Sequence, residues 1–153
     1  MQAAISDADA ILVTLGTGPS KKATTLCAES AKQLLKTLHD GNRQVPLIVL
    51  SAFGVADSND YYSFFARAFV KLLLKDLFAD KATMERLIAA SNQQWEIVRP
   101  GMLTNGGLTG RYRVEPKLRD GMRIGSISRS DVAHFMVSQA EKQTCLRQYP
   151  SLT

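Results

Sequence analysis

Little in this chain is built for covalent cross-linking, membrane insertion or metal capture. Cysteine occurs only twice, as Cys27 and Cys145. Far apart and in no CxxC spacing, these read as reduced thiols of an intracellular protein rather than as a disulfide framework. No apolar run approaches the roughly 20 residues needed to span a bilayer. The first apolar run is preceded by Asp7 and Asp9 and lacks a basic leader, which argues against a signal peptide. A cytoplasmic protein without membrane contact is therefore expected. The two histidines, His39 and His134, lie more than ninety residues apart without clustered Cys or carboxylates, so no metal site is predicted. His39 closes a helix, where its partial charge suits the dipole, and His134 is read as a packed helix residue.

Charge is modest and interspersed. Nineteen basic residues against fourteen acidic leave a formal +5, which suits an anionic partner such as a phosphate-bearing cofactor. No Lys/Arg block is present, so solvated surface is the preferred explanation over nucleic-acid binding. With 153 residues, 45% of them hydrophobic, the chain can bury the core of one domain.

What is present alternates. Ala10 to Leu15 is a continuous β-favouring apolar run ended by Gly16-Thr17-Gly18-Pro19, as in a strand buried on both faces of a parallel sheet. Cys27, Ala31, Leu34 and Leu38 then recur at helical spacing, closed by Asp40-Gly41-Asn42. Leu47 to Ser51 repeats the buried-strand signature and runs into Ala52-Phe53-Gly54. Phe64 to Phe78, apolar on almost every face, and Asp80 to Ala90, with its stripe of Met84, Leu87 and Ile88, both read as helices.

Trp95 to Arg99 is the third strand, with Trp95 placed in the core. A strand that breaks into Arg99-Pro100-Gly101 reads either as an ordinary turn or as a loop shaped to approach a ligand, since Pro100 fixes φ and Gly101 has no Cβ. A turn is predicted at Asn105-Gly106-Gly107 and a short strand around Arg111 to Val114. Ser128-Arg129-Ser130-Asp131 has the acidic capping-box pattern, opening a helix with Val132, Phe135 and Met136 on its buried side.

Strands alternating with helices predict an α/β fold with a parallel sheet and right-handed crossovers. In such sheets ligands gather at the carboxyl ends of the strands. The three exits are Gly16-Thr17-Gly18, Ser51-Ala52-Phe53 and Pro100-Gly101-Met102, all rich in small residues and free of bulky charge.

Five segments in this order and spacing, Asp9 to Thr17, Leu50 to Phe53, Val98 to Leu103, Leu108 to Tyr112 and Ile127 to Met136, resemble the NAD(P)-binding atypical short-chain dehydrogenases. Within that family the chain resembles the NmrA-like proteins and the flavin reductase/biliverdin-IX beta reductase-like group. The resemblance runs from Ala8 to Pro150 and implies a Rossmann-like parallel sheet flanked by helices. In that family the strand matching Ala10 to Leu15 is the fourth of the sheet, and a Gly-rich phosphate turn follows the first. Here nine residues precede that strand and no GxGxxG or GxxGxxG occurs. The resemblance thus implies that residues 1–153 are the carboxyl-terminal portion of such a domain, its first βαβαβ unit absent. It also implies weak binding of NADP or NAD, with self-association through an exposed sheet edge.

Transferred residue by residue, the resemblance places Gly16 and Thr17 along the cofactor, Ser51, Ala52 and Phe53 near the nicotinamide and its ribose, and Pro100, Gly101, Met102 and Leu103 against the nicotinamide amide. Lys81 lies where many relatives keep an active-site Lys and the flavin reductase has a His. Ser51 and Lys81 are the catalytic candidates, with ribose and carboxamide positioning the preferred role for Lys81. The YxxxK pair of ordinary short-chain dehydrogenases is absent, since Phe65, Ala66, Pro116 and Thr153 follow Tyr61, Tyr62, Tyr112 and Tyr149 by four. The function implied is NAD(P)H-dependent hydride transfer to a flavin, quinone or small carbonyl substrate, impaired by the missing turn. The alternative is a non-catalytic regulatory or vestigial module of NmrA type.

Overall fold

The computed structural model describes residues 5, 7–18, 24–61, 74–119, 122 and 124–153. Parallel strands β1 (Ile11–Val13), β2 (Pro46–Leu50), β3 (Gln94–Pro100) and β7 (Ser151–Leu152) lie side by side in that order, and β5 (Val114–Glu115) closes the far edge antiparallel to β7. Beside this sheet β4 (Met102–Thr104) and β6 (Ser126–Ser128) form a parallel two-stranded ribbon. Helices α1 (Leu26–Asp40) and α2 (Lys75–Ala89) cover one face of the sheet and α3 (Arg129–Glu141) the other. Among the described residues no helix is long and apolar enough to cross a membrane.

The period of two along each strand decides which layer each residue joins. Leu47, Val49, Trp95 and Ile97 face α1 and α2, where they meet Ala31, Leu34, Leu38, Met84 and Ile88. Ile48, Val98 and Leu152 face α3, where they meet Val132, Phe135 and Met136. The continuous apolar run of β2 is thus a strand with a covered layer on either side, as its sequence predicts, and β3, although interrupted by Glu96, is covered on both sides as well. β1 differs. Ile11 and Val13 pack into the first layer, but Leu12 is 38% exposed. The expected burial on both faces is therefore not found, because the far side of Leu12 meets solvent.

Other departures are local. Residues 64–73 of the predicted Phe64 to Phe78 helix lie outside the described residues, and its Phe78 belongs to α2, continuous with the Asp80 to Ala90 segment. No turn forms at residues 105–107. The Arg129 guanidinium donates to Asn105 Oδ1 (2.7 Å) and the Ser130 hydroxyl to the Gly106 carbonyl (3.3 Å), so that segment is laid along the start of α3 instead. The acidic capping box is present: Ser128 Oγ accepts from the Asp131 amide at 2.9 Å and donates to the Asp131 carboxylate. His134 is exposed rather than packed, its Nδ1 2.8 Å from the Tyr112 hydroxyl, because it lies on the solvent face between Val132 and Phe135.

One buried acid gives the fold a pH dependence. Glu96 is fully buried on the α3 side of β3; its Oε1 accepts from the Cys145 amide at 3.3 Å, and its Oε2 has no partner among the described residues. Burial outweighs the pull of that amide and of the Gln143 side chain, raising its pKa from 4.5 to about 7. The folded state thus holds a proton that the unfolded chain releases, so this contribution is complete below 4.5 and is lost as pH rises through about 7. Urea unfolding should show wild-type stability falling across that window, with the fall reduced in Glu96→Gln; identical pH profiles for the two proteins would contradict it.

Candidate functional site

The site grows from one capping interaction. Helix α1 begins after Thr25, which supplies no side-chain cap. The Leu26 amide donates to the Thr24 hydroxyl at 3.0 Å, and the next two are served from another helix: Asp80 of α2 accepts from the Cys27 and Ala28 amides, both at 2.9 Å. A carboxylate at a helix amino terminus satisfies orphan donors and complements the helix dipole. The contact locks α2 against α1 and thereby sets the position of the next residue, Lys81.

Lys81 reaches under the end of β2, where its ammonium donates to the Leu50 carbonyl at 3.3 Å. The side chain is buried. Burial lowers its pKa, opposed by the nearby Cys27, Glu85 and Asp80. Neither flanking acid is spent on Lys81: Asp80 caps α1, and both carboxylate oxygens of Glu85 accept from Arg99 (2.7 and 3.2 Å). Three donors on the ammonium and one backbone acceptor leave capacity for a ligand.

Above Lys81 lies a cavity of about 500 Å³, within the range of small-molecule sites. It opens at the carboxyl ends of β1 and β2, as expected for an open α/β sheet. Thr14 to Gly18 and Leu50 to Ala52 line it from the sheet, Leu77, Phe78 and Lys81 from α2, Leu103 from β4, and Arg129, Val132, Ala133 and Met136 from α3. Ser51 is the polar focus. Only 4% of it is exposed, and its Oγ has no hydrogen-bond partner among the described residues. A buried hydroxyl without a partner costs about 1–3 kcal/mol, so its natural complement is an acceptor or donor on a bound molecule.

Of the residues singled out from sequence, Gly16, Thr17, Ser51, Ala52, Lys81 and Leu103 come together around this cavity, whereas Phe53, Pro100, Gly101 and Met102 are not among its lining. Phe53 is buried, and its amide donates to the Pro100 carbonyl at 2.9 Å. Met102 is 73% exposed. Gly101 does mark a close approach, but to the protein itself: a Cβ there would lie 2.2 Å from the Gly125 carbonyl oxygen. The Arg-Pro-Gly step therefore packs strand against loop, while β3 continues through Pro100.

Arg99 turns to the opposite layer from Val98 and bridges three elements. Besides Glu85 of α2, it donates to Asp57 at 2.7 Å, in the 3₁₀ turn Ala56–Tyr61 that follows the Ser51 exit, and its guanidinium lies 4.3 Å from the Tyr149 ring centroid. Burial opposes its charge, but Glu85 and Asp57 outweigh that and raise its pKa. In the first turn of α3, Asp131 draws in the 109–110 segment, accepting from the Thr109 and Gly110 amides at 2.9 Å and from the Thr109 hydroxyl. Against burial, these donors and the Ser128 hydroxyl hold its pKa at about 2.

Leu77, Phe78, Arg129, Val132, Ala133 and Met136 escaped the sequence reading of the site. The capping box could have found the last four, since a helix opening at Ser128 places its first two turns beside the exits of an open sheet.

A family model described as NAD(P)H-binding matches residues 1–143. Among solved structures, the oxidoreductase ylbE from Lactococcus lactis is 20% identical with a TM-score of 0.78; 99% of this chain and 64% of that chain are covered. ChuY, an anaerobillin reductase from Escherichia coli O157:H7, is 22% identical with a TM-score of 0.75 over 99% of this chain and 66% of its own. A short-chain dehydrogenase/reductase from Veillonella parvula DSM 2008, in complex with NADP, is 17% identical with a TM-score of 0.74 over 99% of this chain and 65% of its own. The present chain thus spans about two thirds of each, and at these identities the likeness is one of fold.

Proposed function

Because the chain belongs to the NAD(P)H-binding family, we propose that the strand-exit cavity holds the nicotinamide end of NADP or NAD. The reaction proposed is hydride transfer to a flavin, quinone or small carbonyl acceptor. The carrying observation is the Ser51 hydroxyl, 4% exposed and without a partner among the described residues, which lines the same cavity as Lys81. Those two groups suit the amide and ribose hydroxyls of such a cofactor, and Gly16, Gly18 and Ala52 keep the adjoining walls free of bulk. When bound, the cofactor supplies a hydride. The chain's own part is to orient and to exclude water: Ser51 fixes a polar edge, Lys81 offers donors to a ribose or carboxamide, and Leu77, Phe78 and Met136 form apolar walls.

The sequence has no Gly-rich phosphate turn, and such turns carry much of the pyrophosphate recognition. The 153-residue polypeptide should therefore bind NADPH with a dissociation constant above about 100 μM, and calorimetry giving low-micromolar affinity would contradict this. At millimolar NADPH it should oxidise the cofactor when menadione is added, with Lys81→Ala raising KM more than it lowers kcat. Saturable binding without reduction of flavin, quinone or carbonyl would favour a nucleotide-sensing module.

A further inference from the structure

The walls of the cavity carry charge of one sign. Lys81 rises from α2 and Arg129 stands across from it at the start of α3, and no carboxylate is among the described lining residues. Arg129 is exposed, and among the described residues its partner is the neutral Asn105 amide oxygen, 2.7 Å from one terminal nitrogen. The nearest acid in sequence, Asp131, is committed to the Thr109 and Gly110 amides and the Ser128 and Thr109 hydroxyls. A neutral acceptor restrains a guanidinium without cancelling its charge, and the remaining N–H groups keep the forked geometry that suits carboxylate or phosphate. Besides the two cations and the Ser51 hydroxyl, the lining presents apolar surface from Leu15, Phe78, Leu103 and Met136.

From this arrangement, and resting on the proposed reductase reading, we infer that the acceptor is an apolar molecule bearing an anionic substituent, with Arg129 at the mouth as the residue that selects for the anion. The anion could also be a phosphate of the cofactor, and the two sources separate experimentally.

Riboflavin and FMN share one ring system and differ by a phosphate. Their binding to the whole 153-residue protein can be followed by flavin fluorescence in the presence of saturating NADP⁺, so no turnover is needed. FMN should bind about tenfold more tightly than riboflavin, the worth of one well-formed charge-assisted contact. Arg129→Gln should bring the ratio to within about twofold while riboflavin affinity holds, and added salt should erode the wild-type preference. Equal affinities in the wild type, an unchanged ratio in Arg129→Gln, or no binding of either flavin overturns the inference. So does a variant that loses NADP⁺ affinity while keeping its flavin preference, which would assign the guanidinium to the cofactor phosphate. A protein that prefers FMN through Arg129 yet reduces neither flavin nor menadione would leave the anion selection standing and remove the reductase reading.

Discussion

Replacing Arg99 with alanine is expected to destabilise the fold by about 3–5 kcal/mol, the range for removing one partner of a buried ion pair. Arg99 and Glu85 are 2% and 3% exposed, and the substitution strands the Glu85 carboxylate without the two donors that now face it. It also removes the cation over the Tyr149 ring. The contrast with Asp57 makes the expectation specific. Asp57 meets the same guanidinium at 2.7 Å but is 68% exposed, so Asp57→Ala should cost less than about 1 kcal/mol. Replacing Arg99 and Glu85 together with Met should recover much of the loss, because two apolar side chains leave no uncompensated buried charge. Denaturant unfolding of these variants checks all three. Equal losses in Arg99→Ala and Asp57→Ala would show that the bridge to α2 carries no special weight.

Ser51→Ala should divide stability from activity. Its hydroxyl is buried and has no partner among the described residues, so removing it relieves an unmet desolvation cost, and the free protein should be as stable as the wild type or up to about 1 kcal/mol more so. If the same hydroxyl holds the cofactor in the reacting geometry, turnover at saturating NADPH should fall roughly tenfold, equivalent to about 1.4 kcal/mol in the transition state. A residue conserving only local structure would move both quantities in the same direction. Unfolding curves and steady-state rates on one preparation are sufficient, and unchanged turnover would displace Ser51 from the site.

The layered sheet was legible where side chains alone decide it. Leu47 to Ser51 reads as a strand covered on both sides and Trp95 to Arg99 as a strand, and both form, because each alternate residue meets a helix layer. β1 has the same apolar composition but its Leu12 is partly solvent-exposed, since composition records what a residue tolerates and not what lies against it. Short strands such as Ser151–Leu152 carry no periodic signal, being two residues long. The Arg-Pro-Gly step shows the same limit at the site. The sequence leaves an ordinary turn and a ligand-approaching loop equally open there; a Cβ at Gly101 would meet the Gly125 backbone, and the partners of Arg99 come from α2 and the 3₁₀ turn, outside the local pattern. The resemblance singles out Ser51 and Lys81, and both line one cavity. Their meeting depends on the Asp80 cap between two helices, which no local pattern reveals.

The cavity at the ends of β1 and β2 is the site proposed for a nicotinamide nucleotide. Amide chemical shifts of the isotopically labelled protein, titrated with NADP⁺ to millimolar concentration, test it without reference to turnover. The largest saturable changes are expected at Gly16, Thr17, Ser51, Ala52, Lys81 and Leu103 and along the first two turns of α3, and they should be diminished in Ser51→Ala. Saturable changes confined to other surfaces, with those residues unmoved, would contradict it.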